Sequence, residues 1–359
     1  MAVVGHSWAT IDIPVEVYIG GDYKFLLLLG MKSATSDHAC IWCKIHKNAR
    51  SDMSKPKDFY WESLARSITE IQTHARSSKC SCAHQPLINI PLENVVLDEL
   101  HLMLRITDKL TTNLVMEMQD WDREDNLNKR PIDRTNMHMD SLIKAINSCG
   151  VSFNVWQKMD GNGRESGLLD FTSLMGSDKK LLLQKLPSKL ENVVKPETLE
   201  TVIKLWKDFC ELYKLLQMQD PRLDKILDYF NKATRWVNLF TSLGGIRNGY
   251  EMARVTPYVH AMVYHVPRFL EKHQGIKRFT GQGVEKLNDD CRRVHLQRSN
   301  KWDAAKDVLL VGKRVKHLAF QSYWETGILE SRTKRQRIGI VNPGEPNATD
   351  LDSLSLEEI

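Results

Sequence analysis

The amino-acid sequence predicts an α-rich α/β protein, and three observations support that prediction. A short strand candidate, "VEVYIGGD", alternates Val15, Val17 and Ile19 with polar or aromatic residues. Long segments such as "LENVVLDELHLMLRITDKLTTNLVMEM" and "ETLETVIKLWKDFCELYKLLQM" repeat apolar residues at the spacing of one helix face. Glycine with asparagine or aspartate at "MDGNG", "LMGSD" and "SLGGIRNG" marks the loops between helices.

Four regions follow one another along the chain. Residues 1–50 contain the strand candidate, a short apolar helix and a pair of cysteines. Residues 51–255 are predicted to be mainly helical, and residues 256–330 add further helices, among them "PYVHAMVYHVPRFLEKHQ" and "GVEKLNDDCRRVHLQR". Residues 331–359 run from the basic "RTKRQR" to the acidic "DLDSLSLEEI", which predicts a disordered tail.

The composition narrows the classes of function. With 359 residues, 42% hydrophobic and 26% charged, the chain has the profile of an ordinary soluble globular protein. Its net charge of +5 is compatible with nucleic-acid binding without requiring it. The apolar run "KFLLLLGM" is too short to span a membrane, so we expect no membrane partner. Seven cysteines without a secretory signal indicate reduced thiols and an intracellular protein.

The stretch "DHACIWCKIH" carries the clearest metal-ligand spacing. Cys40 and Cys43 form a Cys-x-x-Cys pair, which can supply two of the four ligands of a tetrahedral zinc site. The remaining ligands are either local, at His38 and His46, or distant, in "YVHAMVYHVP". The alternatives are two buried cysteines and histidines on an ordinary helix, whereas a redox pair lacks the expected βαβ context.

Two carboxylates are candidates for divalent metal. Asp22 follows two glycines at the end of the strand candidate, where a carboxylate is exposed at a sheet edge; the alternative is a simple turn residue. Glu285 lies in the first turn of a predicted helix, where the helix dipole alone favours a carboxylate.

The order of these features resembles the catalytic core of the V(D)J recombinase catalytic subunit and the related Transib DNA transposases. The interval from Asp22 to Cys40 and the interval from His265 to Glu285 both look like those of the family. The "HVP" that begins at this histidine and the central "LDELH" also match. The resemblance covers residues 15 to about 310 and extends to uncharacterised invertebrate proteins that look like descendants of such transposases.

The resemblance implies a fold, a reaction and a set of site residues. The fold is an α-rich α/β protein with a partial RNase H-like core and a large helical, zinc-linked insertion domain. The reaction is the metal-dependent DNA strand cleavage and transfer of a cut-and-paste transposase, with Asp22 and Glu285 as catalytic ligands of Mg²⁺ or Mn²⁺. Asp98 and His101 of "LDELH" are expected to be neighbours of the active site. The structural zinc ligands are Cys40, Cys43, His260 and His265.

The resemblance also implies DNA as the partner, and it leaves open a homodimer and an accessory subunit. Five basic residues beside Glu285 are expected to contact DNA phosphates, although they also fit a solvated helix face. They are Lys286, Arg292, Arg293, Arg298 and Lys301. The run "RTKRQR" is compatible with a nuclear location.

The sequence departs from the family pattern at one point. The family's first catalytic Asp lies on an earlier strand, and the segment before Asp22 is too short for that strand and the two that follow it. Asp12 is too close and is soon followed by Pro14, so it cannot replace that residue. We therefore expect an N-terminally truncated product or a relic that is not catalytically competent alone. The alternatives are a domesticated, non-catalytic zinc-stabilised protein that binds DNA or protein, and an unrelated helical protein.

Overall fold

The computed structural model describes residues 15–161, 163–298 and 301–314, apart from the side chains of Phe25, Leu26, Glu165, Val284, Glu285 and Arg298. The chain divides into two units, Met1–Gln282 and Gly283–Ile359. The predicted region 256–330 spans this boundary. Asp12, "RTKRQR" and the acidic tail lie outside the described residues.

Helices dominate the first unit, as the apolar periodicity predicted, but Val95–Leu97 of the predicted helix "LENVVLDELHLMLRITDKLTTNLVMEM" form a strand instead. They are α1 (Tyr23–Leu26), α2 (Phe59–Glu62), α3 (Ile68–Ala75), α4 (Glu99–Asp125), α5 (Met137–Asn147), α6 (Gly176–Lys185), α7 (Pro196–Leu216), α8 (Leu223–Ser242), α9 (Pro257–Tyr264) and α10 (Val266–His273). Within the described part of the chain, no helix has both the length and the apolar composition needed to cross a membrane.

Two short strands form a parallel pair. Strand β1 (Ile19–Gly21) lies beside β2 (Val95–Leu97), with Gly21 opposite Leu97 at their carboxyl ends. The predicted strand was longer, since it included Val15 and Val17, but both of these side chains are exposed and precede β1. Pairing extends only as far as the three residues of β2, which explains the short observed strand.

The region 51–255 also contains a β-hairpin that the helical interpretation missed. Strand β3 (Val155–Met159) pairs in antiparallel orientation with β4 (Glu165–Phe171). The segment "MDGNG" between them was interpreted as a loop between helices, whereas an Asp-Gly or Asn-Gly pair between short strand-forming segments is also a hairpin signal.

Helix α4 is the central helix of the first unit. It is 27 residues long and begins directly after β2, with the Asp98 side chain as N-cap, and helices α5, α6, α7 and α9 pack against it. Helices α7 and α8 form a neighbouring pair in which Trp236 Nε1 donates a hydrogen bond of 2.9 Å to the Leu205 carbonyl. Burial of apolar stripes of this kind supplies most of the stability of such helices.

The predicted helix "PYVHAMVYHVPRFLEKHQ" is two helices with a break at His265. Thr256 caps α9, with Pro257 at its first position, and Pro267 lies in the first turn of α10. Proline cannot continue the hydrogen bonds of a preceding helix, so Pro267 restarts the chain as a new helix.

The second unit contains most of α11 (Gln282–Arg298) and a helical stretch over residues 304–314. Helix α11 coincides with the helix predicted from "GVEKLNDDCRRVHLQR".

Candidate metal centre and carboxylate edge

Four buried side chains converge on one point and form a possible zinc site. Cys40 Sγ lies 3.2 Å from His265 Nε2, and Cys43 Sγ lies 3.2 Å from His260 Nε2. One ligand atom from each of the four residues lies within 4.8 Å of the others, and all four residues are fully buried. Sulfur and nitrogen ligands of a tetrahedral zinc ion are about 3.6 Å apart, so the cluster has the dimensions of such a site after a small expansion.

Two local structures bring these residues together. The cysteines lie at the two ends of a tight turn that is held to a later segment by an isolated antiparallel bridge between Cys43 and Ala65. The histidines lie on α9 and at its C-cap, so the helix end presents both imidazoles to the turn. The ligand pairs are separated by 225 and 217 residues, which makes the cluster a clasp between distant segments.

The electrostatics of the cluster fit a divalent metal. Burial raises the pKa of a thiol, but contacts with Cys43, His265 and His260 hold the pKa of Cys40 well below its ordinary value. Burial and the neighbouring Cys40 sulfur raise the pKa of Cys43, and burial lowers the pKa of His260, which keeps that imidazole neutral. Two thiolates cannot share this desolvated space without a cation, and a bound Zn²⁺ would supply the required charge.

Aromatic rings enclose the cluster. Trp42 and Trp61 lie 5.1 and 4.9 Å from the His265 ring, and Tyr60 lies 4.9 Å from the His260 ring. This apolar shell keeps solvent away from the four ligand atoms, which indicates a structural rather than a catalytic metal.

A second candidate site lies where the two parallel strands end. Asp22 follows β1 and Asp98 follows β2, so adjacent strands each end in an aspartate. The carboxyl ends of parallel strands are a common location for ligand and metal sites in open α/β sheets. The structure thus places two acidic residues of the sequence prediction at one edge of the strand pair.

Asp22 is partly buried and held by two neighbours. The Tyr258 hydroxyl donates a 2.7 Å hydrogen bond to Asp22 Oδ1, and Arg105 Nη2 lies 3.7 Å from Oδ2. Burial raises the pKa of this carboxyl, but the Tyr258 hydrogen bond and the charges of His101 and Arg105 outweigh it, so the pKa is lowered. Asp22 is therefore held in its ionised form.

Asp98 is fully buried and has a structural role. Its Oδ1 accepts a hydrogen bond from the Leu100 amide as the N-cap of α4, and its Oδ2 lies 2.5 Å from His101 Nδ1. The neighbouring Glu99 is buried too, and burial together with the Asp98 charge raises its pKa. Asp98 and His101 thus form a linked pair, and the His101 charge acts on Asp22; their role as neighbours of an active site stays a prediction.

Tyr258 connects the carboxylate edge to the metal cluster. Its hydroxyl, which binds Asp22, also accepts a hydrogen bond of 3.1 Å from the Tyr23 amide, and Tyr258 shares helix α9 with His260. The hydroxyl at the other end of the Tyr23 side chain donates a hydrogen bond to the carbonyl of Ala39, the residue directly before Cys40. Tyr258 and Tyr23 therefore link the metal cluster to the segment that carries Asp22. No spacing pattern in the sequence marked Tyr258.

The local zinc-ligand candidates His38 and His46 are not part of the cluster. His38 Nδ1 contacts the Lys44 carbonyl at 3.0 Å, and His46 Nδ1 accepts a hydrogen bond from the Asn48 amide. Both rings belong to the loop that carries the cysteine pair, and the His46 side chain caps a short 3₁₀ helix there. The two histidines of the cluster come from α9 and its C-cap instead.

The predicted residues of the second unit are only partly described. Glu285 and Arg298 lie within α11, but their side chains lie outside the described residues, so the role of Glu285 stays a prediction. Arg292 and Arg293 pair with aspartates of the same helix at 3.5 and 2.6 Å. The basic face is therefore partly neutralised by its own helix. Lys286 and Lys301 are exposed.

No family model matches this sequence, and no curated protein matches it either.

Proposed function

We propose that this protein derives from a recombinase-like cut-and-paste DNA transposase, with DNA as its partner and a nuclear location. The proposal includes an RNase H-like origin for the β1–β2 pair and a structural zinc ion in the clasp. It leaves open whether a second copy or an accessory subunit completes the site.

One observation carries the proposal. The four residues at which the resemblance places zinc ligands converge in a buried cluster, although the cysteines and the histidines come from distant segments of the chain. Short motifs that matched a family by chance would have no reason to meet in three dimensions. A second observation supports it, since Asp22 lies at the carboxyl end of a parallel strand with Asp98 on the neighbouring strand.

The chemistry follows from the residue types. Mg²⁺ or Mn²⁺ bound by carboxylates activates an attacking oxygen and stabilises a leaving oxygen in phosphodiester cleavage. Asp22 would supply one ligand in its ionised form, oriented by Tyr258, and Glu285 would supply another. Arg105 beside Asp22 is suited to hold a DNA phosphate.

A second candidate function is favoured by the pairing of Asp22. Both of its oxygens have neighbours in the fold, Tyr258 on one side and Arg105 on the other. A carboxylate paired in this way also suits a non-catalytic, zinc-stabilised protein that binds DNA or protein.

The test combines metal analysis with DNA cleavage. Purified protein should contain about one zinc per chain, and the Cys40→Ser, Cys43→Ser double variant should contain none. DNA nicking is then measured with Mg²⁺ and Mn²⁺, with Glu285→Gln and the matched surface variant Glu124→Gln.

Each outcome decides one point. Nicking that is lost in Glu285→Gln and kept in Glu124→Gln supports the catalytic interpretation. DNA binding without nicking supports the non-catalytic candidate. A wild-type protein without zinc contradicts both.

A further inference from the structure

Arg66 is a buried arginine that holds the cysteine knuckle, defined here as residues 40–43. The residue is only 6% exposed, and its Nε lies 2.9 Å from the carbonyl oxygens of both Cys40 and Cys43. A single N–H group is therefore shared between the backbones of the two metal-ligand cysteines. The Arg66 amide also donates to the Trp42 carbonyl at 2.9 Å, so main chain and side chain both bind the knuckle.

The outer nitrogens of Arg66 reach the flanking segments. Nη2 donates to the carbonyls of His38 and Cys80, at 2.8 and 3.0 Å, and Nη1 lies 3.6 Å from Cys82 Sγ. The planar guanidinium fork thus joins three pieces of chain around the knuckle. An ammonium group cannot reproduce this geometry, because it lacks the rigid fork.

The turn that meets Arg66 has an unusual backbone. Ser78, Cys80 and Ser81 have φ values of 53°, 51° and 60°, in the left-handed region that non-glycine residues rarely adopt. This conformation accompanies the turn of the Cys80 carbonyl towards the guanidinium. Among the described residues, Arg66 contacts carbonyl oxygens and one sulfur but no carboxylate. The buried guanidinium therefore holds backbone carbonyl groups in place and does not form an ion pair with these contacts.

We propose that Arg66 is a positioning residue of the zinc site. By holding the carbonyls of Cys40 and Cys43, it keeps the knuckle in the conformation in which their Sγ atoms face the two histidines. The inference rests on the zinc site of the proposed function. Partners that orient metal ligands typically contribute about 10- to 100-fold to metal affinity.

The test compares Arg66→Lys with Arg50→Lys in the full chain. Arg50 is equally buried and its charge also acts on Cys40 and Cys43, but the hydrogen bond of its guanidinium goes to the Ser36 carbonyl, at 3.2 Å, and lysine keeps that charge. Zinc affinity is measured by competition with a chromophoric chelator. We expect a loss of at least about tenfold for Arg66→Lys and a change below about twofold for Arg50→Lys.

Cobalt substitution supplies a readout that a purely structural role would not change. The visible absorption of Co²⁺ reports ligand geometry, and we expect Arg66→Lys to shift or weaken it. Cys82→Ala removes the contact of the fork with this sulfur but keeps the bonds to the knuckle, so zinc affinity should stay within about twofold of wild type and the cobalt spectrum should be unchanged. Arg66→Gln provides the same comparison if circular dichroism shows that the lysine variant is unfolded.

Two results overturn the inference. One is an Arg66 variant with wild-type zinc affinity and cobalt spectrum. The other is an equal loss of thermal stability in zinc-loaded and zinc-free protein, since a positioning role predicts a smaller zinc-dependent increment in the variant. A wild-type protein that binds no zinc contradicts the proposed function instead, so the two failures are distinguishable.

Discussion

Removing the zinc clasp should destabilise the first unit by several kcal/mol. The perturbation is the double variant Cys40→Ser, Cys43→Ser, which removes both sulfur ligands. Cys43 and His260 are 217 residues apart, and closing a loop of that length in an unfolded chain costs about 5 kcal/mol. The unfolded chain must close this loop before all four ligands can hold one zinc ion, whereas the folded chain already has it closed. Zinc should therefore favour the folded chain by about that amount.

The assay is urea unfolding followed by circular dichroism at a fixed free zinc concentration. The matched control is Cys149→Ser, Cys210→Ser, because both of these cysteines are buried and lie outside the cluster. We expect the clasp variant to lose about 5 kcal/mol more than the control variant. Equal losses in the two variants, or a wild-type protein whose stability is unchanged by a zinc chelator, would refute this reasoning.

Three further predictions concern single residues. Burial raises the pKa of Glu117 from 4.5 to about 7, so its contribution to stability is complete below about pH 4.5 and declines as the pH rises through 7. Between about pH 5 and 8, the free energy of unfolding of Glu117→Gln should therefore fall by about 3 kcal/mol less than that of the wild type. An unchanged dependence on pH would contradict this prediction. Tyr258→Phe removes the hydrogen bond to Asp22, so the pKa of the Asp22 carboxyl should rise in an NMR titration. The variant should lose about 1–2 kcal/mol of stability at pH 7 and less in acid. An unchanged pKa of Asp22 would contradict this prediction. Gly249→Ala should lower the thermal stability of the protein more than Gly150→Ala does. Both glycines have a positive φ, but only a Cβ at position 249 would meet the Asn113 side chain. Equal losses of stability would argue against that contact.

The sequence predicted the parts of the molecule that depend on residue type and periodicity. Helix α4 repeats apolar residues over many turns, so its burial pattern is visible without the structure. The candidate zinc ligands were found because Cys40 and Cys43 have the spacing of metal ligands and because an ordered resemblance pointed to two distant histidines. Neither local spacing nor periodicity alone would have chosen these histidines over His38 and His46.

Features created by tertiary contact were not predictable. Arg66 and Tyr258 act through carbonyls and carboxylates that are distant in sequence, and a single arginine or tyrosine carries no pattern. The ends of β1 depend on the length of β2, which lies far along the chain, and pairing partners are not encoded locally. The β3–β4 hairpin was missed because β3 exposes most of its side chains, which removes the usual alternation.

The central claim is that Cys40, Cys43, His260 and His265 together hold one zinc ion. X-ray absorption at the zinc edge of the purified protein tests it most directly. The structure predicts a ligand shell of two sulfur atoms at about 2.3 Å and two nitrogen atoms at about 2.0–2.1 Å. A shell without sulfur, a shell of four sulfur atoms, or protein without zinc would contradict it.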